Sequence, residues 1–191
     1  MKKLFAYGGI AASVILVAFG AGAIAIGVTG YNDVRDEIAA QKIVAGDDAA
    51  ELTNGRLQPG EEITTGAEAR AFADIMEHHT LDATEGKRYA EMGRFLTAEG
   101  KDTSDEALAA KAPDGRPVEN GLRNMWVTET ALTTALNTAF FAERVALFSI
   151  VMGVALLLTG IGFFVLTLGG ALGYVALPKL SKKIHTASAA T

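Results

Sequence analysis

Residues Val145 to Leu177 run for 33 positions without a charged side chain, VALFSIVMGVALLLTGIGFFVLTLGGALGYVAL. As a helix the run is about 50 Å long at roughly 1.5 Å per residue, against a hydrocarbon core of about 30 Å. A chain of 191 residues has no interior that buries such a helix on every side. The run is read as a transmembrane helix with length to spare, and it constrains everything before it.

A second charge-free run, Leu4 to Val28 (LFAYGGIAASVILVAFGAGAIAIGV), is also long enough to cross a bilayer. Its Met-Lys-Lys start also fits a secretory signal peptide. The apolar run exceeds the about 7–15 residues usual in such peptides, so a retained anchor is expected. Between the runs, residues 29–144 hold all 22 acidic residues and 12 of the 17 basic ones, a net charge of −10. The flanks carry Lys2, Lys3, Lys179, Lys182 and Lys183. Basic residues beside a span stay cytoplasmic. The expected topology therefore places both termini in the cytoplasm and the acidic middle outside the plasma membrane. Four segments follow: 1–30, the cytoplasmic N-terminus and first transmembrane helix; 31–144, an acidic helical extracytoplasmic domain; 145–177, the second transmembrane helix; and 178–191, a short basic tail.

The acidic balance argues against nucleic acid as a partner. The absence of cysteine removes disulfides, thiolate metal sites and a cysteine nucleophile. The expected partners are the lipid bilayer and either further copies of the chain or the other subunits of a larger membrane complex.

Small residues four apart let helices approach closely in lipid. The first span offers Gly8 and Gly9 with Ala12 and Ser13, then Ala18 with Gly22 and Ala23 with Gly27. The second offers Ser149 with Gly153 and Gly169 with Gly173. These are the candidate helix-packing positions.

The middle segment reads as helical and the whole chain as an all-α membrane protein. YNDVRDEIAAQKIV continues the first span with Val34, Ile38 and Gln41 on one face. Residues 46–66 hold Asn54-Gly55 and Pro59-Gly60 and read as a loop, with room for a short turn of helix. Phe72, Ile75, Met76, His79 and Ala83 recur at helical spacing. Gly86 interrupts that helix, and Tyr89, Met92, Phe95 and Leu96 make a second short apolar face. Residues 97–120 read as a second loop. From Gly121 a stripe of Leu122, Met125, Trp126, Glu129, Leu132, Thr133, Leu136 and Phe140 leads without a breaker into the second span.

Two polar residues lie on apolar stripes, His79 and Glu129. If those faces pack together, the two meet as a buried hydrogen-bonded pair, since a buried polar group needs a partner. His79 and Asp82 share a face three residues apart, which makes His79, Asp82 and Glu129 a candidate buried polar or ligand site. His78 points about 100° away from His79 around the helix. There is no nucleophile elbow, phosphate-binding loop, zinc-protease motif or dinucleotide fingerprint. No catalytic, cofactor or metal residue is assigned, and neither span holds an ionisable residue for a proton path.

The first span, the central MEHHTLDATEGKRYAEMGRF and the long NMWVTETALTTALNTAFFAERVALFSIVMGVALLLTGIGF together resemble a group of uncharacterised actinobacterial two-span membrane proteins. Members of that group often carry the label "aromatic ring-opening dioxygenase", and some carry cysteines between the spans, which this chain lacks. The label implies a non-haem iron held by two histidines and a carboxylate. Here the two histidines of the middle segment are adjacent and diverge, so that chemistry is not expected.

The expectation is a non-enzymatic structural or accessory protein of the actinobacterial envelope. It would act through helix packing and an acidic ectodomain that binds a partner or itself. The alternatives are an extracytoplasmic sensor or ligand-binding module using the His79/Glu129 region, and an oligomeric channel.

Overall fold

A computed structural model describes residues 2–169. The expected end of the second span, Gly173 and the basic tail lie outside the described residues. Most of the described chain is helical. Helix α1 covers Lys2–Ala40, α2 Ala49–Leu52, α3 Gly66–Ala83 and α4 Gly121–Leu168; strands β1 (Phe95–Leu96) and β2 (Asp102–Thr103) pair antiparallel. The chain divides into two compact units, one formed by α1 up to Ala25 with α4 from Ser149, the other by Ile26–Phe148.

In the first unit, α1 and α4 are antiparallel. Each carries a stretch long and apolar enough to cross a membrane. Their outward side chains are apolar and bare: Phe19 is 71% exposed and Leu158 62%. A water-soluble domain rarely leaves such a surface uncovered.

The buried positions in these stretches fall seven apart. On α1 they are Ser13, Gly20 and Gly27; on α4 they are Ala146, Gly153, Gly160 and Thr167. A repeat of seven keeps one seam facing a partner helix with a slight left-handed wrap. Small residues then let the backbones touch. A Cβ on Gly20 would stand 2.7 Å from the Gly153 carbonyl oxygen, and one on Gly160 would stand 2.9 Å from the Val17 amide nitrogen. Ser149 Oγ donates to the Ala23 carbonyl at 3.0 Å, a hydrogen bond between the helices. Ser13 and Thr167 turn their hydroxyls back onto their own helices, on the Gly9 and Phe163 carbonyls at 2.7 Å each. No hydroxyl is left unpaired at either position.

In the second unit, the core gathers Ile38 from α1, Ala49 from α2, Leu57 and Ile63 from the connecting loop, Ala69, Ala73 and Ile75 from α3, and Leu136 from α4. Helix α3 starts at a capping box: the Thr65 hydroxyl accepts the Glu68 amide at 3.2 Å, and Glu68 Oε2 accepts the Thr65 amide at 3.0 Å. It ends where Glu85 (φ 53°) and Gly86 (φ 78°) turn left-handed, with the Gly86 amide closing on the Leu81 carbonyl at 2.7 Å.

Residues 89–120, expected as a short apolar helical face and a loop, instead form a 3₁₀ turn at Tyr89–Glu91 and a small sheet. β1 pairs with β2, while isolated bridges join Phe95 to Glu119 and Lys111 to Pro117. Gly93 and Asp102 explain the change from helix to sheet. The Gly93 amide donates to Asp102 Oδ2 at 2.7 Å, and a side chain on Gly93 would collide with the Thr103 backbone. Met92 beside it is buried.

Helix α4 begins at Asn120, whose Oδ1 accepts the Leu122 amide at 3.1 Å and whose Nδ2 donates to the Gly93 carbonyl at 3.0 Å. One side chain thus caps the helix and ties it to the sheet. Of the predicted stripe, Trp126, Glu129 and Leu136 are buried, whereas Leu122, Met125 and Leu132 are more than 40% exposed.

Candidate functional site

Two features of the Ile26–Phe148 unit organise it. The first is Glu143, buried on α4 with only 5% of its surface exposed. Its Oε1 accepts from Arg35 Nε of α1 at 3.0 Å, and its Oε2 accepts the Gly66 amide, at the first residue of α3, at 2.6 Å. One carboxylate therefore ties three helices. It also sits at the positive end of the α3 dipole, where a negative charge is favoured. Position 66 has no room for a side chain: a Cβ there would stand 2.8 Å from Phe140 Cα and clash with the Glu143 carboxylate. Arg35 lies 4.6 Å over the Tyr31 ring, a cation–π contact that helps to hold the guanidinium.

The second feature is an open apolar groove of about 890 Å³ lined by α1, α3 and α4. Pockets that hold small molecules have volumes of about 300–1,000 Å³. The groove exists because α4 presents alanines, Ala135, Ala139 and Ala142, where larger side chains would fill the space. Phe72 and Met76 of α3 and Ile38 of α1 form the apolar walls. The charged lining residues are Asp33 and Glu37, both exposed on the α1 rim.

The candidate residues His79, Asp82 and Glu129 are not brought together. His79 Nε2 meets Asp48 Oδ2 at 2.6 Å, and that hydrogen bond holds the Asp48 carboxyl below the usual carboxylate range. Both side chains of the pair are about half exposed. Asp82 pairs instead with His78 at 3.3 Å, one turn away on α3. Glu129 is buried on α4 and accepts from Thr130 Oγ1 at 3.2 Å. Among the described residues no cluster of three or more histidine, cysteine or acidic side chains is arranged to hold a metal ion.

The candidate packing residues divide. Gly27 and Gly153 are buried, Gly9 meets the Thr167 side chain, and Ala23 and Ser149 share the interhelical hydrogen bond. Gly8 and Gly22 have open space where a side chain would go, and Ala12, Ala18 and Gly169 are exposed. Of the seam residues, Ser13 is found at spacing four with Gly9, whereas Gly20, Gly160 and Thr167 escape that search, although the sevenfold spacing is visible in the sequence. Glu143 escapes because it precedes Arg144, so the pair reads as ordinary charge beside a span.

No family model matches the chain, and no curated protein or solved structure shows significant similarity to it.

Proposed function

We propose that this chain is a two-span integral membrane protein of the plasma membrane that acts without catalysis, as a structural or accessory component. The observation that carries this is the span pair itself. Its seam is closed by backbone contact at Gly20 and Gly153, while bulky apolar side chains such as Phe19 and Phe148 face outward. Such a pair suits a lipid solvent, where association depends on close packing. The distribution of lysines supports cytoplasmic termini. The intervening domain, with its net charge of −10 over residues 29–144, would then lie outside and present an acidic surface to a partner or to other copies.

The absence of native cysteine makes the topology directly testable. Asp114→Cys, on an exposed turn, should react with a membrane-impermeant maleimide in intact cells, whereas Lys183→Cys should react only after lysis. The reverse pattern inverts the topology, and labelling of both in intact cells sinks it. Native mass spectrometry of the solubilised particle then separates self-assembly from association with other subunits.

A further inference from the structure

We propose that the groove between α1 and α4 takes one alkyl chain of a lipid that leaves the adjoining leaflet of the bilayer. The inference rests on the membrane reading above and gives the domain a ligand class.

Position along the helices is the first support. Asp33 follows Val28, the last residue of the first apolar run, by five positions, and Ala142 precedes Val145, the start of the second, by three. At about 1.5 Å per residue the lower end of the groove stands roughly 5–8 Å from the apolar stretches, within reach of a chain still anchored in the leaflet. The same lengths of α1 and α4 expose Ile26, Val28, Phe141 and Val145 among Thr29, Asn32 and Arg144, which gives a chain moving toward the groove apolar surface to follow.

The walls are the second support. Ile38, Phe72, Met76, Leu136 and the three alanines offer hydrocarbon with no charged group among them. Each methylene seated there is spared the roughly 0.8 kcal/mol that exposure to water would cost once the chain leaves the leaflet. The polar lining residues, Asp33, Glu37, Gln41 and Thr138, are all exposed, and the two carboxylates would repel an anionic headgroup. A chain carried by a zwitterionic lipid is therefore the better fit, since the rim's charge selects against acidic lipids.

The test uses the full chain in phosphatidylcholine vesicles containing phosphatidylcholine with a diazirine at the end of one acyl chain. After photolysis, peptide mass spectrometry should find adducts at Phe72 and Met76 of α3 as well as on the apolar stretches of α1 and α4. Ala139→Trp fills the groove, and adducts on α3 should fall about tenfold, the loss expected when two methylenes are denied burial. Adducts on the spans should be unchanged, which shows that the variant is inserted, and unchanged emission from buried Trp126 shows that the domain is folded; Ala135→Leu serves as a second, milder filling. Phosphatidylglycerol carrying the same diazirine should label α3 less.

Adducts confined to the spans overturn the proposal and leave the membrane reading standing. Labelling of α3 that survives both fillings overturns it too, as does a second copy of the chain covering Phe72 and Met76. Absence of adducts from the spans as well would overturn the membrane reading, and the proposal with it.

Discussion

Glu143 and Gly66 stand 77 residues apart in the chain and meet through a hydrogen bond of 2.6 Å from the Gly66 amide to the carboxylate. The contact uses the missing side chain at one position and the buried charge at the other. Each residue therefore limits what the other position can hold.

Gly66→Ala should destabilise the protein by about 1–3 kcal/mol, because the added methyl must displace Phe140 backbone or the Glu143 carboxylate. Glu143→Ala leaves the Gly66 amide without an acceptor and Arg35 without its partner. A loss of about 2 kcal/mol is expected, lower than for a fully buried pair because Arg35 is 39% exposed. Glu143→Gln keeps one acceptor and should lie between. Thermal unfolding of the solubilised full chain measures all three, and equal stability of Glu143→Ala and wild type would remove this contact from the framework.

The seam predicts a contrast between glycines of the same helix. Gly20→Val should separate α1 from α4, with a cost of more than about 2 kcal/mol, while Gly22→Val should change stability by less than about 0.5 kcal/mol. A Cβ at Gly20 meets the Gly153 and Leu157 backbones, whereas one at Gly22 meets nothing within 4 Å. Thermal aggregation in detergent reports both, and similar behaviour of the two variants would rule out the seam.

The α3 cap should weaken in acid. Burial alone would raise the Glu68 carboxyl, but hydrogen bonds from Thr64 and Thr65 hold it below its ordinary value. A carboxylate depressed in the folded state adds stability above its unfolded pKa, about 4.3, and that contribution disappears as pH falls through the folded pKa. Unfolding midpoints at pH 7 and pH 3 should therefore fall further for wild type than for Glu68→Gln. At pH 7 the variant should be less stable by about 1 kcal/mol, the usual worth of a cap. Parallel pH profiles for the two proteins would contradict this account.

Trp126 is the only tryptophan in the chain. It is 4% exposed, and its Nε1 donates to the Lys87 carbonyl at 2.9 Å while Arg88 lies over the ring at 5.7 Å. Its fluorescence should be blue-shifted and report docking of the α4 N-terminal turns onto residues 84–92. Trp126→Ala should cost about 3–5 kcal/mol. Emission typical of a water-exposed indole in the native protein would show that the docking is absent.

The helical elements were largely legible because they follow local rules. Apolar runs without charge, Asn54-Gly55, Gly86 and the stripe from Trp126 to Leu136 each carry their signal in neighbouring residues. The sheet was not legible, since β1 and β2 are two residues each and depend on a side chain, Asp102, capturing the Gly93 amide. Small-residue spacing was ambiguous for a different reason. With so many glycines and alanines in α1, pairs at four and at seven both occur, and only the crossing of the helices decides which are buried. The expected meeting of His79 with Glu129 depended on the rotation of α3 against α4, which periodicity leaves open. In the structure α3 turns His79 toward Asp48 at the start of α2. The groove could not be read at all, because alanines on a helix look like good helix formers until the space beside them is seen.

The sevenfold seam also divides the spans into two populations of residues with different freedom to vary. At Gly20, Gly153 and Gly160 a single added carbon meets main chain, so nearly every replacement should be lost from a library selected for a folded product. At Phe19, Ile26 and Phe148 no part of the protein covers the side chain, and most apolar replacements should survive. A saturation library across both helices would then show tolerance rising and falling with a beat of seven. The phase of that beat on each helix would mark their contact without any structure in hand.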